Sequence, residues 1–157
     1  MTSRRVLTVG VAFVLLVGAA VAAILVLPPR QSADVAMPAA DAVPEQVVTA
    51  FVAALNAHDC TVAEALSTPE ARDQTASWCR DVGALDDLGV APHVLEPPED
   101  SGRAADELVA NVGVTFDLDW RPLRSDVSMP EGETTWGYLL VRSPRERAWR
   151  VFEQGVG

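Results

Sequence analysis

An uninterrupted apolar run, beginning at Val6 and ending at Leu27, constrains this chain of 157 residues more than any other feature. It holds fourteen Val, Leu, Ile or Phe, five Ala, two Gly and Thr8, with no charge, proline or amide side chain. A helix on the surface of a soluble domain has one polar face, and this run has none. Its 22 residues reach roughly 33 Å as a helix, enough to cross a hydrocarbon core of about 30 Å. Residues 6–27 are therefore expected to form a transmembrane helix, with the lipid bilayer as the first partner. Arg4 and Arg5 precede the run and only Arg30 follows it closely. Positive charge stays inside, so residues 1–5 are expected in the cytoplasm and residues 28–157 outside the cell membrane. A cleaved signal peptide has a shorter apolar core and a small-residue exit. Here Ala20-Val21-Ala22 runs on into Ala23, Ile24, Leu25, Val26 and Leu27, which favours a retained single-pass signal-anchor. The Arg4-Arg5 pair leaves twin-arginine export open as an alternative.

Residues 28–43 hold three prolines and no apolar period, the composition of an extracytoplasmic linker. Residues 44–157 suffice for one modest domain. They carry 20 Asp and Glu against 9 Arg, and the chain has no Lys. Such an acidic surface excludes nucleic acid as a partner and leaves cationic partners open. The Arg, Ala, Val and Gly usage fits the coding of a GC-rich bacterium. Two cysteines, Cys60 and Cys79, read as a disulfide in an oxidising compartment. With only His58 and His93 to add, zinc is poorly supported, and no metal or cofactor is implied.

Periodicity sorts the domain into helices followed by strands. Pro44 opens a helix to about His58, with Val47, Val48, Phe51, Val52 and Leu55 on one stripe. Asp59 and Thr61 are candidate caps for a short helix to Leu66, and Thr68-Pro69-Glu70 starts another to about Arg80. Residues 90–95 are a short strand candidate. From Leu108 the period becomes two, with Val112, Val114, Phe116, Leu118 and Trp120 on one face. Residues 134–142 and 147–154 read as a hairpin. The expected class is α+β, with helices packed on one face of a four-strand, mainly antiparallel sheet.

The stretch from Phe51 to Leu66, F-V-A-A-L-N-A-H-D-C-T-V-A-E-A-L, resembles the opening of NTF2-like (SnoaL-like, cystatin-like cone) domains. Trp149-Arg150-Val151-Phe152 is similar to their last strand. The resemblance spans about residues 44–154 and extends, through the membrane segment, to anchored actinobacterial proteins of the Mce-associated type. It implies a curved sheet wrapped around the long helix, with a pocket, used by some members for catalysis and by many for binding or assembly. Fold alone does not decide between these.

Candidate chemistry is sparse. His58-Asp59 is an acid–base pair in composition, but neighbours at a helix end diverge, and Asp59 reads as a cap. No catalytic residue is assigned. Asp117 and Asp119 lie on one strand face without a calcium-loop pattern to support them. Phe116, Trp120, Trp136, Tyr138 and Trp149 are candidates to line an apolar pocket, against the alternative of core packing. Arg142, Arg145, Arg147 and Arg150 cluster at the last hairpin and are a candidate docking patch for an acidic partner. The expected function is a non-enzymatic interaction or assembly module of the cell envelope, binding an envelope protein or a second copy of itself. The alternative is a domain that binds a small apolar ligand, or a degenerate SnoaL-like enzyme.

Overall fold

A computed structural model of the chain describes residues 28–124 and 129–155. The stretch from Pro44 to Asn56 forms helix α1, started by a proline whose missing N–H has no partner to lose at that position. Val47, Val48, Phe51, Val52, Ala54 and Leu55 are buried along its inner stripe. The chain then breaks at His58, where φ is 54°, and restarts as α2, Cys60–Ala65. Asp59 caps α2, its Oδ1 accepting from the Val62 N–H at 3.2 Å. A 3₁₀ turn at Pro69–Ala71 leads into α3, Arg72–Asp81. The buried hydroxyls of Ser67 and Thr75, 2.8 Å apart, tie the entry of α3 to the end of α2.

Five strands follow: β1 (Val82–Val90), β2 (Val94–Glu96), β3 (Leu108–Trp120), β4 (Gly132–Arg142) and β5 (Arg150–Gly155). They form one antiparallel sheet in the order β1-β3-β4-β5, and β2 pairs with the first part of β3. The alternation of β3 sets the layers. Val112, Val114, Phe116 and Leu118 face the helices and are buried, while Thr115, Asp117 and Asp119 are exposed on the outer face. Phe51 of α1 meets Tyr138 of β4 edge-on, with centroids 5.4 Å apart, at the centre of this core. On the outer edge of β5, Val151 donates to Leu66 O at 2.9 Å and accepts from the Thr68 N–H at 2.8 Å, so the segment after α2 closes that edge.

Three expectations change. The sheet has five strands, not four, and the additional one is β1. Gly83, Gly89 and the Asp86-Asp87 pair weaken its strand signal, and its pairing with β3 shifts register twice. Its glycine at 83 is needed: a Cβ there would lie 3.0 Å from the Trp120 backbone carbon. The candidate strand at 90–95 is instead the junction of β1 and β2. Lastly, no helix among the described residues is long and apolar enough to cross a membrane. The span expected from Val6 to Leu27 lies outside the described residues. Over the described residues the fold class is corrected to a small antiparallel sheet of five strands with a few short helices. Residues 28–43 carry no helix or strand. Ser32 N–H donates to Ala57 O at 2.8 Å and Val35 N–H to Asp59 Oδ2 at 3.1 Å, which lays this segment along the end of α1.

Candidate functional site

The hairpin arginines are brought together with partners that are distant in sequence. Arg147 in the turn before β5 and Arg150 at its start line a groove of about 610 Å³ with Arg72 of α3 and Arg103 of the loop before β3. Glu70, Glu107 and Glu146 line it too. Arg103 is fixed on two sides. Its guanidinium lies 4.7 Å from the Phe152 ring centroid, and its Nε is 3.4 Å from Glu107 Oε2. Arg72, Arg147 and Arg150 have no carboxylate within ion-pair distance among the described residues. The carboxyl of Glu70 is held below its ordinary value, first by its own backbone N–H, then by the Thr68 side chain, and to a smaller extent by the charges of Arg103 and Arg72.

A smaller hollow of about 350 Å³ adjoins this groove, lined by Arg142 and Arg147 with Asp41, Asp106 and Glu146. Arg142 stacks over Trp149 at 4.8 Å. Arg145, expected in the same patch, is exposed and lines neither cavity. Arg72 and Arg103 were not anticipated. Neither lies near the hairpin in sequence, and only the closure of β5 against the segment after α2 brings them alongside it.

The cysteines form a disulfide, with Cα atoms 5.7 Å apart. It joins the start of α2 to the end of α3. His58 and Asp59 diverge. The His58 Nδ1 lies 3.0 Å from Cys79 O, while Asp59 is buried and spends its two oxygens on the Val35 and Val62 backbone N–H groups. Two donors on the Asp59 carboxylate leave it little freedom to act as a base.

The aromatic set divides. Phe116, Trp136, Tyr138 and Trp149 are buried in the core. Trp120 alone of the five is half-buried and lines a cavity, of about 410 Å³, with Trp78 behind it. Burial pushes the Tyr138 hydroxyl well above the ordinary phenol range. Neither that hydroxyl nor Trp136 Nε1 has a hydrogen-bond partner among the described residues. Asp117 and Asp119 stand exposed on the outer face of β3, and no group of three potential metal ligands occurs among the described residues.

No family model matches the chain, and no curated protein matches it. Among solved structures, the chain is similar to the solution structure of a SEC-C motif containing protein from Rhodopseudomonas palustris. The TM-score is 0.50 at 17% identity, covering 76% of this chain and 82% of the other. At that identity the likeness is one of fold. It overturns the NTF2-like, SnoaL-like resemblance read from residues 51–66 and 149–152, and with it the likeness to Mce-associated proteins. The short helix–break–helix pattern that carried the resemblance is accounted for by Asp59 capping α2 after the turn at His58. That is a local solution to satisfying backbone N–H groups and is not peculiar to one fold.

Proposed function

We propose that the domain is a non-enzymatic interaction module of the cell envelope, working in an oxidising extracytoplasmic compartment and docking an acidic segment of a partner protein in the arginine-lined groove. One observation carries this reading. In a chain of net charge −10, arginines from α3, the pre-β3 loop and the β5 hairpin converge on one groove, and three of the four lack an ion-pair partner there among the described residues. Guanidinium groups left unpaired are suited to carboxylates presented in pairs, because each offers a planar fork of donors. Their own positive charge also selects against basic segments at this groove. The disulfide supports the compartment, since such bonds persist where the medium is oxidising. His58 and Asp59 each contact backbone groups, which argues against that pair as a general base and supports the non-enzymatic reading.

The test is a calorimetric titration of the full chain with a Glu-rich decapeptide and with its Lys-rich counterpart. Binding of the acidic peptide alone is expected, weakening as salt rises. The Arg147→Glu, Arg150→Glu double variant is expected to lose it at least tenfold. Equal binding of both peptides, or indifference to the double variant, would overturn the proposal. Sedimentation of the chain alone identifies the case in which the acidic segment belongs to a second copy.

A further inference from the structure

The cavity beside Trp120 lies at the opposite end of β3 from the arginine groove and is built from different chemistry. Its floor is aromatic. Trp120 meets Trp78 edge-on at 5.9 Å, and Trp78 in turn packs on Trp136 at 5.5 Å. The Trp120 ring is held in one orientation by its Nε1–H, which donates to Met129 O at 2.9 Å. Its rim is polar. Ser77 Oγ donates to Asp81 Oδ2 at 3.2 Å, and Arg124 Nε lies 3.3 Å from Asp81 Oδ1. The Gln74 side chain is exposed beside them. At the lip stands Leu123, 83% exposed and held at φ 64°, a conformation that a bulky side chain rarely adopts. The leucine gains no burial in return for that backbone strain, which marks it as a functional candidate.

These features select a ligand class. An apolar molecule would desolvate the Asp81–Arg124 pair and offer no hydrogen bond to its remaining donors and acceptors. A free anion would meet an arginine already held by Asp81. A ring with one C–H face and a ring of hydroxyls matches both parts of the site, since the face stacks on the indole while hydroxyls meet amide, carboxylate and guanidinium. A methyl-bearing amide on that ring would give the Leu123 side chain a contact and Gln74 an amide partner. We propose that this cavity binds an N-acetylated sugar unit of a neutral oligosaccharide. At about 410 Å³ it falls within the usual range for small-molecule sites.

The experiment is titration of the full chain with N-acetylchitotriose, and with maltotriose as the unacetylated control, followed by tryptophan fluorescence. A saturable spectral shift with N-acetylchitotriose is expected, with maltotriose at least tenfold weaker. Trp120→Ala should abolish the calorimetric signal of binding. Gln74→Ala and Leu123→Asp alter exposed side chains, and each should weaken binding at least fivefold without lowering the melting temperature. The arginine double variant described above should bind the sugar as the parent does. No saturable response, equal affinity for the two sugars, or binding indifferent to Gln74 and Leu123 would each overturn the proposal. None of these results bears on whether the arginine groove binds acidic peptide.

Discussion

The two ends of β3 are made in opposite ways. At its C-terminal end, Trp120 sits on Trp78, which packs in turn on Trp136, and Trp78 is at once cavity wall and core. At its N-terminal end, the groove is walled by arginines on a helix start, loops and a strand start, of which Arg103 is braced by Phe152 and Glu107 and Arg150 donates to Trp149 O at 3.2 Å. The difference teaches where variation is tolerated. Exposed charges change partner choice with little effect on stability. A tryptophan in the core cannot change without cost to the whole sheet.

The sharpest way to break the contrast is to remove what both ends share. Phe51 is fully buried between α1 and Tyr138. Phe51→Ala is expected to cost about 3–5 kcal/mol, the usual range for deleting a buried ring. Urea unfolding followed by circular dichroism would measure it, and both the peptide and the sugar titrations should fail together. If either binding survives unchanged, the two ends do not hang from one core.

The disulfide separates them next. Cys60→Ser with Cys79→Ser removes a cross-link 19 positions apart, worth ~3 kcal/mol in the chain-entropy account. The bond fastens the end of α3, which carries Ser77, Trp78 and Asp81. The Trp120 end should therefore soften first, seen as a changed tryptophan spectrum before global unfolding. The groove, which α3 reaches through Arg72 near its start, should keep its peptide affinity at low temperature.

How much of this was readable from the sequence depended on the range of the interaction. The α1 stripe, the β3 alternation and the cysteine pair are periodicities or pairs visible within a local window, and the structure has all three. β1 was not readable, because glycines and adjacent aspartates fit its bulged pairing and not a strand propensity. The groove was half readable. Arg147 and Arg150 announced themselves by clustering, whereas Arg72 and Arg103 join them only through tertiary closure. The aromatic residues were singled out by type, but type does not tell core from cavity. Trp120 differs from Phe116 and Tyr138 only because it ends its strand.

Tyr138 offers a smaller effect, of opposite sign. Its hydroxyl is buried at the core with no hydrogen-bond partner among the described residues. An unsatisfied buried hydroxyl costs about 1–3 kcal/mol. Tyr138→Phe keeps the ring and its edge-on packing on Phe51, so a stabilisation of about 1 kcal/mol is expected in thermal melts. A loss of stability would show that the hydroxyl is satisfied in solution.

Arg103 tests the other end of the comparison. Its ring stacking and its contact with Glu107 are half-exposed, so Arg103→Gln is expected to cost less than about 1 kcal/mol. Peptide affinity should fall more than stability does, measured by calorimetry and melting on the same sample. A larger loss of stability would make the groove part of the core, and the contrast between the two ends would disappear.

The smallest effect is the pH response of the latch between α1 and the β1–β2 junction. Glu45, in the first turn of α1, accepts from the His93 backbone N–H at 2.8 Å and lies 2.7 Å from its Nδ1. Partial burial raises the Glu45 carboxyl, but the two His93 contacts outweigh it and hold the group below its ordinary value of 4.5. A carboxyl depressed in the folded state binds its proton more readily when unfolded. Its stabilisation is therefore complete above pH 4.5 and is lost as the pH falls through the folded value. Glu45→Gln removes that response. Urea midpoints of parent and variant should differ at pH 7 and converge as the pH falls below the folded value, and a gap that stayed constant through this acid range would show that the carboxylate's charge plays no part in holding His93.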